Sequence, residues 1–565
     1  MTSSPPLLWL WQHLRPHAPL YRQTLLASFV INLFALAGSL FAMNVYDRVI
    51  PNGATATLWV LSLGYCTVLV FDAVLRLIRS YILDIAGKDS DVILSTLLFR
   101  HALDVQLREK PQQTGLLVNL LREFEGVRQF FASSTLALLI DLPFALFFLL
   151  MIFAIGGSLV LVPLAMLPLV ALVTLVLAWP QRDLNARRNH SSDDEQTTLF
   201  TALSGIETIK AHNAGDGFVE RWRLAVTATT THSALSRFLT TLSTTLTGFI
   251  GQVMYMAMII FGTYRIMERE LTMGALVACT LLAGRLLVPL GSVALVMSRW
   301  QQMRYGLDRL HAFHSKATDV DTTRTYLTRP PLTGAVALKQ IRFTYGGAKL
   351  PALDAVTLTV SRGEKIGILG RSGSGKTTLA RLIAGLYEAD EGLVLLDGTD
   401  SRQMHPDQIR SAVGYVAQDA LLFPGSLLEN IRLGRTAVDD ARVLQASAVS
   451  GLAGFVETHP LGYDLPVGER GETLSGGQRQ MTAIARALAH DPALLILDEP
   501  TNHLDHLAEA HVIDRLHTFA AAKTMLLITH RLPLLALVDR LIVIDQGRVV
   551  RDGPKERILQ ELGSR

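Results

Sequence analysis

The sequence predicts a polytopic α-helical membrane domain of six transmembrane helices, followed by a C-terminal α/β domain built around a phosphate-binding loop. Three observations carry that prediction. Half of the 565 residues are hydrophobic, and six apolar runs before residue 300 reach the ~20 residues that cross a ~30 Å hydrocarbon core. Hydropathy then falls, and Ser315 to Pro331 is a run of Thr, Asp, Arg and Pro without a sustained period, the composition of a linker. Beyond it, Gly370-Arg371-Ser372-Gly373-Ser374-Gly375-Lys376-Thr377-Thr378 satisfies G-x-x-x-x-G-K-[ST] at every required position.

The six runs lie near 25–47, 57–78, 134–155, 158–179, 240–264 and 273–298. Short connections at 48–56, 156–157 and 265–272 alternate with long polar stretches at 79–133 and 180–239. Each long stretch holds seven Lys and Arg, whereas the three short loops together hold only Arg48, Arg265 and Arg269. Positive charge stays on the cytoplasmic side, so both termini and both long loops are expected there. The expected divisions are a cytoplasmic N-terminal segment (1–24), the membrane domain (25–314), a linker (315–333) and the nucleotide-binding domain (334–565). Met1 to Gln23 lacks the charged start, apolar run and small-residue cleavage site of a signal peptide, so the first span is expected to remain as an anchor.

Within the long loops, 91–110, 115–131 and 194–224 alternate apolar and charged residues at helical spacing. They read as membrane helices continued into the cytosol, reversing at Pro111 to Gly115 and Asn213 to Gly217 and touching the nucleotide-binding part. Asp72, Arg76 and Asp141 are ionisable residues at membrane depth, where charge is a functional hypothesis by default. Asp72 and Arg76 stand four apart on one helix and are expected to neutralise each other. Asp141 precedes Leu142-Pro143-Phe144, where the proline frees a carbonyl, and a structural role is expected.

The small net charge of +3, on dispersed basic residues, excludes a nucleic-acid footprint. Cys66 and Cys279, both inside apolar runs, read as small buried hydrophobes.

In the C-terminal domain, Val336 to Tyr345 and Ala355 to Val360 alternate like strands. Lys365 to Gly370 reads as a short buried strand and Lys376 to Ala384 as a helix whose N-terminus faces an anion. The glycines let backbone N–H groups curl around phosphates, Lys376 adds a charge, and the Thr377 hydroxyl is placed for Mg²⁺.

Downstream, Leu474-Ser475-Gly476-Gly477-Gln478 and Leu494-Leu495-Ile496-Leu497-Asp498-Glu499 resemble the signature and Walker B motifs of ATP-binding cassette (ABC) transporters. With the phosphate loop in the usual order, the resemblance implies a P-loop ATPase domain that uses ATP and Mg²⁺. It also implies that Ser475, Gly476, Gly477, Gln478 and Asp505 serve an ATP bound to the other subunit of a dimer. By the same resemblance, Asp498 holds the magnesium shell, Glu499 is the catalytic base and Gln418 senses magnesium and touches the membrane domain. His530 is the switch histidine on the γ-phosphate, and Tyr345 stacks on adenine. No motif departs from the pattern, which implies a homodimer with two competent sites. Val467-Gly468-Glu469-Arg470-Gly471 resembles a segment of ABC exporters, which with the six-span half implies export.

Met43 to Asn52 (MNVYDRVIPN) and Asp141-Leu142-Pro143-Phe144 resemble the permease-ATPases of type I secretion systems. That resemblance implies a bacterial inner-membrane protein that exports unfolded polypeptides with a periplasmic adaptor and an outer-membrane channel. Many such proteins carry a peptidase-like domain before the first span, and ~24 residues leave no room for one, so leader cleavage by this chain is not expected. A lipid or drug exporter shares the architecture and stays open, as does a membrane ATPase that gates or senses without transport.

Overall fold

Long apolar runs that cross a membrane satisfy their backbone polar groups internally, as helices do, and the described residues from 18 to 104 and from 144 to 314 are almost entirely helical. The computed structural model describes residues 18–110, 127, 130, 141–291, 293–321 and 323–563. They form two compact units, one holding 1–103 and 111–316 and the other 104–110 and 317–565. The turn at 111–115, the helix over 115–131 apart from residues 127 and 130, and the start of the third span at 134–140 lie outside the described residues.

Among the described residues the long helices of the first unit are α1 (Ala18–Asn44), α2 (Thr55–Asp104), α3 (Phe144–Gly156), α4 (Leu161–Ser204), α5 (Gly215–Met267), α6 (Met273–Gly291) and α7 (Val293–His314). The first five predicted spans each fall on one of them as far as they are described, the first running on through a π-helical turn at Val45–Val49, whereas the sixth, 273–298, covers α6 and the start of α7. At ~1.5 Å per residue, the 50 residues of α2 and the 53 of α5 are far longer than a bilayer requires. The predicted reversal near 213–217 is present, with Asn213 at φ +51° between the short helix Ile206–Ala211 and α5.

Helix α6 packs against α1 and α3, and α4 lies along α5. Small residues permit the close approach: a Cβ on Gly156 would stand 2.7 Å from Cys279 Sγ, and one on Gly251 2.7 Å from Leu287 Cδ1. Polar contacts tie the helices of this unit in two groups. Arg79 on α2 reaches Asp141 and Ser28, and Asn32 of α1 donates to the same Asp141 carboxylate. Gln181 of α4 bonds Thr240 of α5, while Asn185 bonds Ser236 and Gln301, and Asp193 pairs with Arg309 of α7. The spacing argument for Asp72 and Arg76 holds, with Arg76 Nε donating to Asp72 Oδ2 at 2.8 Å. Cys279 is buried as expected, but Cys66 is exposed on the protomer, because α2 keeps little of its apolar stretch inside the unit.

The second unit has β1 (Val336–Phe343), β2 (Leu353–Val360), β3 (Lys365–Leu369), helix α8 (Lys376–Ile383), β4 (Glu391–Leu396), β5 (Thr399–Asp400) and β6 (Val413–Val416). Then follow α9 (Gly476–Leu488), β7 (Leu494–Asp498), α10 (His506–Phe519), β8 (Thr524–Ile528), β9 (Arg540–Asp545) and β10 (Arg548–Pro554), with shorter helices between β6 and α9. An antiparallel sheet in the order β2-β1-β4-β5 lies beside a six-stranded sheet in the order β10-β9-β3-β8-β7-β6. The five strands from β9 to β6 are parallel and β10 is antiparallel at one edge.

Strands β7 and β8 are buried at every position, which is why LLILD and TMLLI read as unbroken rather than alternating apolar runs. One core packs β1, β2 and α8 against one face of the parallel sheet, and a second packs α9 and α10 against the other. Each buried Leu or Ile contributes about 1.5–3 kcal/mol. β1 ends at Phe343, two residues short of the predicted end at Tyr345, because the Asp390 carboxylate takes the N–H of Thr344. Residues 104–110 belong to this unit: Arg108 Nη1 donates to Asp390 Oδ1 and its guanidinium lies 5.9 Å from the Phe343 ring centre.

Candidate active site

Parallel strands end in register at one edge, so the loops that follow them converge there, the usual ligand edge of an open α/β sheet. Ile368 of β3 and Asp498 of β7 both pair with Ile528 of β8. The next residues, Gly370, Glu499, Thr529 and His530, therefore crowd one rim.

The phosphate loop leaves β3 with Gly370 at φ +156° and enters α8 with Gly375 at φ +104°. Side chains there would collide with backbone: a Cβ on Gly370 runs into the Ile544 carbonyl, and one on Gly375 into that of Ala352. Lys376 folds back over the loop and donates to the carbonyls of Gly370 (2.7 Å) and Arg371 (2.8 Å). Burial lowers its pKa, opposed by the Glu499 and Asp498 carboxylates. The Tyr345 hydroxyl lies 3.0 Å from Thr378 Oγ1, and its ring is held edge-on by Phe343 and Tyr387.

At the end of β7, Asp498 is almost wholly buried, and Glu499 is buried with φ +48°. Burial pushes both carboxyls above the usual carboxylate range, opposed at Asp498 by the Thr377 hydroxyl and at Glu499 by His530. His530 Nε2 stands 3.6 Å from Glu499 Oε1, while the His530 N–H and the Thr529 hydroxyl both donate to Glu499 Oε2 at 3.4 Å. A buried carboxylate with a raised pKa and an oriented second oxygen is suited to take a proton from water.

Among the described residues, several buried polar atoms at this rim lack a hydrogen-bond partner: Ser374 Oγ, Asp498 Oδ2 and Glu499 Oε1. Such atoms call for an outside partner, and they sit beside Lys376 and Thr377. The set fits a polyphosphate with its Mg²⁺. Among the described residues no group of three His, Cys, Asp or Glu could hold a metal ion alone, so Mg²⁺, which keeps water and phosphate oxygens in its shell, would rely on Thr377 and Asp498 plus the nucleotide.

Other predicted residues stand apart. Ser475 caps α9 in a capping box, with its hydroxyl accepting from the Gln478 N–H (3.2 Å) and the Gln478 side chain accepting from the Ser475 N–H (2.8 Å). It is exposed, and the hydroxyl proton is still available to donate. Asp505 caps α10 by accepting from the Ala508 N–H at 2.8 Å. Gln418, two residues beyond β6, is exposed, and among the described residues no hydrogen bond ties it to Thr377, Asp498 or Glu499. Sequence reasoning missed Thr529 and the buried contacts of Thr501, Glu509 and Arg531; the positions beside Glu499 and His530 were the only available signal.

Comparison with known proteins identifies the family. Residues 353–502 match the ABC transporter family, and residues 23–290 match the ABC transporter transmembrane region. The chain is 33% identical over 554 residues to the cyclolysin secretion/processing ATP-binding protein CyaB of Bordetella pertussis, covering 98% of this chain and 77% of that one. The chain belongs to the ABC transporter family. The transporter is also 32% identical over 557 residues to the alpha-hemolysin translocation ATP-binding protein HlyB of Escherichia coli, covering 98% and 78%. Its fold matches the structure of a bacterial Atm1-family ABC exporter with ATP bound, at a TM-score of 0.87 and 24% identity over 96% of this chain and 97% of that one. The transporter is thus a multi-pass membrane ATPase of exporter architecture, and ATP hydrolysis is coupled to transport.

Proposed function

We propose that this chain is the permease and ATPase of a type I secretion system, a homodimer in a bacterial inner membrane with termini and nucleotide-binding domains in the cytoplasm. It moves an unfolded polypeptide outward with a periplasmic adaptor and an outer-membrane channel. The observation that carries this reading is the match of 98% of the chain to proteins named for cyclolysin secretion and alpha-hemolysin translocation. The two stretches that resemble secretion permeases also make specific contacts, Asp47 with Thr272 and Gly274 and Asp141 with Arg79.

In the proposed cycle, Tyr345 stacks on adenine and the loop from Gly370 to Thr378, with Arg371, Ser372, Gly373 and Ser374, wraps the phosphates. Thr377 and Asp498, with Gln418 brought in from beyond β6, would hold Mg²⁺, which would neutralise phosphate charge. Lys376 neutralises more of it, Glu499 orients and deprotonates the attacking water, and His530 contacts the γ-phosphate. Positioning and charge neutralisation are what phosphoryl transfer requires of a protein. Ser475 to Gln478 and Asp505 act on the nucleotide of the second copy, so ATP binding closes the pair of cassettes and hydrolysis reopens it.

The test compares proteins in the medium of producing cells that carry the intact chain or Glu499→Gln at equal expression. Loss of one or a few large proteins from the medium, with accumulation inside, is expected. An unchanged medium with altered envelope lipids or drug sensitivity would overturn the reading in favour of a lipid or drug exporter.

A further inference from the structure

Among the described residues, four charged side chains are buried: Lys376, Asp498, Glu499 and Glu509. The first three face the nucleotide rim, whereas Glu509 lies in the first turn of α10 with no role in the cycle above. Its Oε1 accepts from the Thr501 hydroxyl at 2.7 Å and from Arg531 Nη1 at 2.8 Å. Thr501 is fully buried two positions after Glu499, and Arg531 directly follows His530.

The pair reaches in two directions. Toward the rim, Arg531 Nη1 also donates to the Thr501 carbonyl (2.9 Å), and the Arg531 N–H donates to Thr529 Oγ1 (3.0 Å), whose proton goes to Glu499. Toward the signature helix, the Leu504 N–H donates to the Thr501 carbonyl (3.0 Å) and the Glu509 N–H to the Asp505 carbonyl (2.9 Å). The loop between them lies against the start of α9, where a Cβ on Gly477 would stand 3.0 Å from the His503 carbonyl oxygen.

We propose that Glu509 and Arg531 are positioning residues for hydrolysis: the ion pair between the buried Glu509 carboxylate and the half-buried Arg531 fixes His530, the Glu499 carboxylate and the 502–505 loop as one block with the start of the signature helix. A guanidinium that bridges a carbonyl and a carboxylate fixes direction as well as distance, which an apolar contact does not. The inference rests on the roles proposed above for Glu499, His530 and Ser475.

Removing Arg531 leaves the buried Glu509 charge alone and destabilises the fold, whereas replacing both with apolar residues of similar volume is close to neutral. The decisive variant is therefore Glu509→Leu/Arg531→Met in the full-length protein, scored by thermal melting, KM for ATP and kcat. Melting and KM are expected to match the intact protein while kcat falls on the order of 10²-fold, the effect of a misplaced catalytic group. Recovery of kcat together with stability would reduce the pair to a folding role and overturn the proposal. If the double variant fails to fold, Thr501→Val decides, since it removes only one hydroxyl: kcat is expected to fall about tenfold at unchanged KM, and an intact kcat overturns the proposal. Glu499→Gln and His530→Ala run alongside. Full turnover in those two would instead overturn the site assignments, separating that failure from failure of the present inference.

Discussion

Asp141 and Arg79, sixty-two positions apart, form an ion pair with Nη1 3.1 Å from Oδ2, and Asn32 donates to the other carboxylate oxygen at 3.0 Å. Three helical segments of the membrane unit meet there, and both side chains are largely withdrawn from the surface. Arg79→Ala or Asp141→Ala strands a shielded charge and is expected to destabilise the protein by about 3 kcal/mol. Thermal unfolding of purified protein in detergent checks this, and the double variant Arg79→Met/Asp141→Leu should recover most of the loss. Single variants that melt like the intact protein would contradict the structural role.

Asp47 supplies a cap to a helix that is not its own. Its carboxylate accepts from the Thr272 hydroxyl (2.6 Å) and the Gly274 N–H (2.7 Å), joining the end of the first span to the start of α6. A Cβ on Gly274 would meet that carboxylate and the Met43 carbonyl. Asp47→Ala should lose about 1 kcal/mol of capping stabilisation, and Gly274→Ala should lose at least as much. Both are expected to lower export in the medium assay while leaving the KM for ATP unchanged, which separates this end of the molecule from the nucleotide site.

Lys376→Ala removes the cation that the phosphate loop holds over its own carbonyls, and nucleotide affinity should fall by about 10–100-fold. Gly375→Ala should fall similarly, because its Cβ meets the Ala352 carbonyl at a left-handed φ. A fluorescent nucleotide titration measures both. Unchanged affinity in Lys376→Ala would place the phosphates elsewhere.

Much of this architecture was legible in the sequence because its signals are local. The spans are runs of ~20 apolar residues, and LLILD before Glu499 and TMLLI before Thr529 announce buried parallel strands that deliver their next residues to one rim. The glycines at 370 and 375 follow from positive φ and a backbone that leaves no space for Cβ. What was not legible depends on side chains brought together by folding. Nothing around Asp141 names Arg79 or Asn32, nothing around Asp47 names Thr272, and Glu509 looks like an ordinary first-turn acid until Arg531 closes on it. The exposure of Cys66 has the same origin, since an apolar run does not reveal which face a neighbouring helix covers. Gln418 lies two residues beyond β6 and makes no hydrogen bond to Thr377, Asp498 or Glu499 among the described residues.

The most direct test is the ATP turnover of Glu499→Gln at saturating nucleotide beside its ATP affinity. The substitution keeps the shape of the side chain and removes only its capacity to take a proton. ATP affinity should stay close to that of the intact protein while turnover falls by roughly 10²–10⁴-fold, with the nucleotide-bound dimer accumulating. Undiminished turnover would contradict the assignment of Glu499 as the base and with it the reading of the rim shared by β3, β7 and β8 as the hydrolytic site.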